Sequence, residues 1–181
     1  MNIRHEEEIR EEALMETARK MMVAARTAPK ARGKDNIVMA LLTREGIRQV
    51  SEKIREMAAE KNLPAFFLRD AENILSAGAM IAIGTRIEPL GLHPCGMCGF
   101  ADCDEKRKHP DHPCSLNAGD LGIAMGSAVS VAADNRVDNR IMYTAGQAIM
   151  KMKILGEDVK IAYGIPLSIS GKNPFFDRKN P

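Results

Sequence analysis

The sequence predicts a layered domain of the α/β or α+β class, with helices interleaved among a few strands. Three observations predict it. Amphipathic stretches of helical spacing alternate with short, unbroken apolar runs of strand length. Pro and Gly fall at the breaks between them. The chain has 181 residues, 45% hydrophobic and 28% charged, which suits one real core and excludes global disorder or a collagen-like chain.

Residues 6–26 put Ile9, Ala13, Leu14, Thr17, Ala18, Met21, Met22 and Ala25 at helical spacing. Their early Glu run and late Arg19, Lys20 and Arg26 suit the helix macrodipole. Pro29 and Gly33 break the pattern, and residues 36–43 read as a buried strand. Residues 45–61 form a second amphipathic helix with Ile47, Val50, Ile54, Met57 and Ala58 inward, stopped by Asn62-Leu63-Pro64. A third helix is expected over 65–76 and a buried strand over 79–85. Residues 119–133 predict a helix of small residues. Gly122, Gly126 and Ser130 recur there at four-residue steps and let another backbone come close, in the core or at a subunit interface. A further helix is expected over 140–155, then a strand over 159–169 whose Pro166 predicts an edge or a bend. Residues 171–181 are a polar tail punctuated by Pro174.

Charge and composition narrow the function classes. A formal charge of +2 argues against a dedicated nucleic-acid binder, and 4% aromatic residues leave few stacking platforms for single strands. The N-terminus is too charged for a secretory signal, and the longest weakly polar run, 121–133, is too short to cross a bilayer. A soluble, cytoplasmic protein with no nucleic-acid or membrane partner is expected.

All four cysteines lie between Cys95 and Cys114, spaced Cys95-x2-Cys98-x4-Cys103-x10-Cys114. A secreted chain of this size would spread its cysteines to staple distant segments. Four thiolates within twenty residues are instead a complete ligand set for an iron–sulfur cluster. Gly96 and Gly99 supply the freedom such a loop needs, and Met97 and Phe100 are placed to shield one side from water. A four-thiolate zinc site is the alternative, with His93, His109 and His112 near enough to replace a Cys; a disulfide pair or free thiols come after it. The histidines read more simply as solvated loop residues, because 106–112 is a polar excursion.

A second constellation is basic. Between Arg19 and Lys34 there are six basic residues and no acid, centred on Arg26, Thr27, Lys30 and Arg32. Cations and a hydroxyl on a turn between helix and strand could clamp a phosphate, although most basic runs are simply solvated.

Resemblances extend both readings. The segment Cys95-Gly96-Met97-Cys98-Gly99-Phe100-Ala101-Asp102-Cys103 resembles the small four-iron–four-sulfur domain of the corrinoid iron–sulfur protein and of the ferredoxin-like subunit of an ion-pumping electron-transport complex. That resemblance implies a [4Fe–4S] cluster on Cys95, Cys98, Cys103 and Cys114, the last after a shorter gap than usual. Ala24-Ala25-Arg26-Thr27-Ala28-Pro29 followed by Asn36-Ile37-Val38 resembles the N-terminal segment of FMN-dependent nitroreductase-like proteins. The small-residue helix, the helix after it and Ile161-Ala162-Tyr163-Gly164-Ile165-Pro166 are similar to their closing elements. The resemblance implies an α+β, nitroreductase-like sandwich over residues 1–181, interrupted at about 88–117 by the cysteine segment. It also implies an intertwined homodimer and FMN held through its phosphate by Arg26, Thr27, Lys30, Arg32 and Arg178. In those proteins two basic residues, a Ser and an Arg lie close together, whereas here only Arg26-Thr27 and Arg32 match. As a whole, the chain is identified as a member of a prokaryotic family described as ferredoxin-domain-containing, through its A-P-K-A-R-G-x-D turn and C-G-x-C-G-x-x-x-C segment.

The function these readings imply is redox: electron transfer or flavin-dependent reduction, with a redox partner or small-molecule electron acceptor. The alternative is a non-enzymatic metal-binding module or a redox sensor. No residue stands out as a general acid or base. The two sites are expected to be separable, so that substituting Arg26 and Arg32 removes flavin and leaves the cluster spectrum intact.

Overall fold

Strand β2 (Ala79–Arg86) organises the molecule, because every residue from Ala79 to Thr85 is buried. The computed structural model describes residues 3–176. It contains β1 (Ile37–Leu42), β2, β3 (Asp138–Asn139) and β4 (Val159–Ser168) in one sheet of order β1-β2-β4-β3, with every pairing antiparallel. Helices cover both faces, which is why the strands read as continuous apolar runs rather than alternating ones. On one face Met80 and Ala82 pack with α2 (Arg44–Lys61), α3 (Phe66–Ile74) and α6 (Tyr143–Lys151). On the other, Ala79, Ile81 and Ile83 pack with α1 (Glu6–Thr27) and α5 (Ser115–Asp134).

The elements sit close to where periodicity puts them, although β1, at the edge of the sheet, is half-buried beyond Ile37 and not the buried strand expected. The other departures have local causes. Residues 140–155 do not form one helix. Met142 pairs with Gly164 as an isolated bridge, and the Arg140 guanidinium donates to the Phe175 carbonyl (3.0 Å). These contacts hold 140–142 extended, so α6 starts only at Tyr143. Lys153, in the left-handed conformation (φ 56°), follows its end. Pro166 lies in a strand with neighbours on both sides, not at an edge. Gly164 exchanges both backbone bonds with Met142. By the alternation of an antiparallel ladder, Pro166 faces that same side, in the gap between the Met142 bridge and β3, where no donor is needed. The tail is not wholly polar in placement: Phe175, in a 3₁₀ turn (Pro174–Phe176), is fully buried in the α2–α3–α6 core.

Two glycines fix how closely α6 approaches the sheet. A methyl group on Gly146 would stand 1.9 Å from the Ala162 carbonyl oxygen, and one on Gly164 would stand 2.6 Å from the Ala145 Cβ. In contrast, the small-residue stripe of α5 faces outward. Leu121, Ala124, Met125, Ala128 and Ala132 are its buried side against α1, and nothing lies within 4 Å of a methyl placed on Gly119, Gly122 or Gly126. With 20 residues, α5 is by length and composition the one described helix apolar enough to cross a membrane, longer than the 121–133 run suggests. Its inner side packs on α1 and the sheet.

Candidate metal centre

The cysteine segment occupies residues 87–114, between the end of β2 and the start of α5, with one short helix of its own, α4 (Cys103–Arg107). That helix has a sequence signal which reading 106–112 as a polar excursion passes over. Asp102 caps it by accepting from the Glu105 amide (2.8 Å), and the Glu105 carboxylate reaches back to the Ala101 amide (2.8 Å). The arrangement is a variant of the capping box, readable as Asp-x-x-Glu.

All four thiols line one small cavity, walled also by Leu90, Leu92, Met97 and Lys106. Cys95, Cys98 and Cys103 are half-buried and Cys114 is buried; none is in a disulfide. Cys114 is the N-cap residue of the 20-residue α5. The donor set suits a group bound by soft thiolates, and the walls between the sulfurs are largely apolar. The thiols share a cavity without closing on single-ion spacing: among the described residues, no three His, Cys, Asp or Glu side chains gather that tightly.

No histidine lines the cavity. His109 stacks on Phe100 (ring centroids 4.9 Å apart, planes 16° apart), and His112 meets the same ring edge-on at 5.5 Å. Phe100 therefore packs with the histidines and is not among the cavity's walls, so of the two expected shields only Met97 lines it. His93, His109 and His112 are exposed, in keeping with solvated loop residues.

The segment is bolted to the body at both ends, and the basic turn is the anvil. Arg32 Nη1 donates to the Leu90 carbonyl (2.8 Å) and the Gly91 carbonyl (3.2 Å). The Asp120 carboxylate, buried on α5, accepts from the Ala31 amide with both oxygens (3.0 and 3.1 Å). Asn117 Oδ1 accepts from the Glu88 amide (2.8 Å), and the Ser115 hydroxyl donates to the Met97 carbonyl (2.8 Å). Asn117 and Asp120 escape sequence reading because nothing local distinguishes them from ordinary helix residues.

The other residues of the expected phosphate clamp are near one another and engaged with the protein. Arg26 Nη1 holds the Asp35 carboxylate (2.6 Å) and the Ile37 carbonyl (3.0 Å), fastening the turn to β1. The Thr27 hydroxyl donates back to the Val23 carbonyl (3.1 Å). Lys30 Nζ donates to the Ala25 (2.7 Å) and Arg26 carbonyls, satisfying acceptors that the end of α1 leaves open. Burial pushes the Asp35 carboxyl up, but the Arg26 guanidinium, the Ile37 amide and the charges of Arg26 and Lys30 together hold it below the usual range. Arg178 lies outside the described residues. The Arg32 guanidinium also anchors the start of the cysteine segment, so substituting it acts on that segment as well as on the expected clamp.

Residues 111–178 match a family described as uncharacterised proteins containing a ferredoxin domain; of the four cysteines, the matched stretch includes Cys114. Along the whole chain, an uncharacterised protein of Archaeoglobus fulgidus is 36% identical, covering 96% of each sequence. The chain belongs to this family. Similar solved structures are flavoproteins of nitroreductase type. A nitroreductase family protein from Clostridium novyi superposes with a TM-score of 0.60 at 14% identity, over 90% of this chain and 76% of the other. A nitroreductase with bound FMN from Desulfitobacterium hafniense gives 0.58 at 14% identity, over 94% and 81%. A BluB-like flavoprotein from Clostridium difficile gives 0.56 at 16% identity, over 92% and 83%. At these identities the likeness establishes the fold, which is nitroreductase-like.

Proposed function

We propose that this protein is a redox protein whose cysteine segment holds a [4Fe–4S] cluster through Cys95, Cys98, Cys103 and Cys114. The observation that carries the reading is the convergence of all four cysteines on one cavity that, among the described residues, no histidine or carboxylate lines. The ferredoxin domain in the family's description supports it. Such a cluster supplies one-electron transfer. The chain's own part is to present the thiols, keep them among apolar walls, and hold both ends of the segment through Arg32, Asn117 and Asp120. A four-thiolate zinc site is the competing occupant of the same residues. Cys103→Ala separates a bound cluster from adventitious colour. In anaerobically reconstituted protein it should abolish the dithionite-bleached absorbance while leaving the far-ultraviolet circular dichroism intact. Full absorbance in the variant would remove Cys103 as a ligand.

A second reading, flavin-dependent reduction, is favoured by the likeness to a nitroreductase with bound FMN. Arg26, Thr27, Lys30, Arg32 and Arg178 are the proposed phosphate contacts. For the first four, binding would mean sharing or exchanging the carbonyl and carboxylate partners they already hold. A homodimer joined along α5 accompanies this reading. Its outer stripe of Gly119, Gly122, half-exposed Ile123, Gly126 and Ser130 carries no charge. Each exposed helical Gly costs about 1 kcal/mol against Ala, a cost that close approach of a second backbone would offset. Equilibrium dialysis against FMN and sedimentation of the same sample test both parts. Neither bound flavin nor a dimer at micromolar protein would leave the cluster as the whole of the function.

A further inference from the structure

We infer that Lys106 is the resident cation of the cysteine cavity and that its charge sets the reduction equilibrium of the cluster held there. The inference rests on the cluster reading above. Lys106 is among the largest fully buried side chains in the molecule, at 1% exposure, on α4 three residues after Cys103, and it lines the same cavity as the four thiols. Its ammonium has three donors, and among the described residues its one hydrogen-bond acceptor is the His109 carbonyl (3.0 Å). The acids on its own helix turn elsewhere. Asp102 caps the helix, Glu105 accepts from the Ala101 amide, and Asp104 pairs with Arg107. Among the described residues, no carboxylate lines the cavity.

A buried ammonium with a single carbonyl partner is costly unless an anion stands beside it. The groups in this cavity that can be anionic are the cysteine sulfurs, and they become so when they ligate. Each electron taken up by a thiolate-bound cluster adds a negative charge, so a neighbouring cation favours the reduced form. The same charge holds the loaded centre more tightly and is a liability in the empty one. A merely packing role, with the four-carbon stem filling space, predicts none of this.

The test compares wild type, Lys106→Met and Lys106→Arg, each reconstituted anaerobically and followed by a redox titration read by electron paramagnetic resonance. Lys106→Met keeps the stem and removes the charge. It should weaken the one-electron reduction equilibrium at least tenfold, which places the midpoint about 59 mV lower or more. Lys106→Arg should stay within about threefold of wild type. The apoprotein of Lys106→Met should melt no lower than wild-type apoprotein. A Met variant that folds but cannot retain the cluster, while the Arg variant retains it, also supports the inference. Equal midpoints in wild type and Met overturn it, as does a Met apoprotein that has lost its fold, which makes Lys106 a structural residue. Wild type that takes up no cluster refutes the cluster reading itself, a result distinct from any of these.

Discussion

Arg32→Ala should loosen the cysteine segment from the body without unfolding the domain. Arg32 Nη1 makes two bonds, to the part-buried Leu90 carbonyl at 2.8 Å and the more exposed Gly91 carbonyl at 3.2 Å. A hydrogen bond to a charged group contributes about 1.5–3 kcal/mol. The longer, solvated one contributes little, and Arg32 is itself exposed, so the net loss is about 1–2 kcal/mol. That raises the population of the opened segment by about 5–30-fold. Cys114 reports it directly, because it is buried at 7% exposure at the far end of the segment. In apoprotein, its labelling by a disulfide reagent should accelerate by about that factor, read by mass spectrometry of the Cys114 peptide. Backbone strain gives an internal control. Arg32 has φ +57°, a left-handed conformation that costs an ordinary residue about 1 kcal/mol and Gly almost nothing. Arg32→Gly should therefore open the segment as Arg32→Ala does while melting higher. Unchanged Cys114 labelling in both variants would refute the anchoring role, and with it the claim that the turn and the cysteine segment are coupled.

Two other contacts lead to outcomes of their own. Gly146→Ala, normally stabilising in a helix, should here destabilise by about 3 kcal/mol or more, because the methyl meets the Ala162 carbonyl at 1.9 Å. The expected loss is about 6–12 °C in Tm by calorimetry, and an unchanged Tm would show that α6 sits farther from β4. Asp35 has a folded pKa held below its ordinary 3.8, so its contribution to stability is present above about that pH and is lost as pH falls through the folded value. Arg26→Ala removes the largest lowering contact and leaves burial to act. Carboxyl titration by NMR should show Asp35 moving upward, with acid unfolding beginning at higher pH; an unmoved Asp35 would contradict the Arg26 pairing.

Much of the fold is legible in the sequence because both faces of the sheet are covered. Strands such as 79–85 then appear as unbroken apolar runs, and the helices flanking them show a single inward stripe. What escapes is set by contacts distant in sequence. The helix expected over 140–155 is cut short by a backbone bridge to Gly164 and a side-chain bond to Phe175, neither of which leaves a local pattern. Pro166 misleads because a missing donor is harmless wherever the neighbouring strand happens to be interrupted. The four cysteines are visible from spacing alone, since a short segment must bring them together. Their supports are not: Asp120 lies 89 positions from Ala31, and Arg32 lies 58 from Leu90. Lys106 reads as one charge in a polar stretch, and only the cavity distinguishes it from Lys108 beside it.

The central claim is that Cys95, Cys98, Cys103 and Cys114 hold one iron–sulfur cluster. Metal and sulfide analysis of the full chain, purified and handled without oxygen, tests it most directly, together with its visible spectrum. About four iron and four sulfide per chain are expected, with a broad shoulder near about 400 nm that dithionite bleaches. One zinc per chain in a colourless protein, with no acid-labile sulfide, would contradict it.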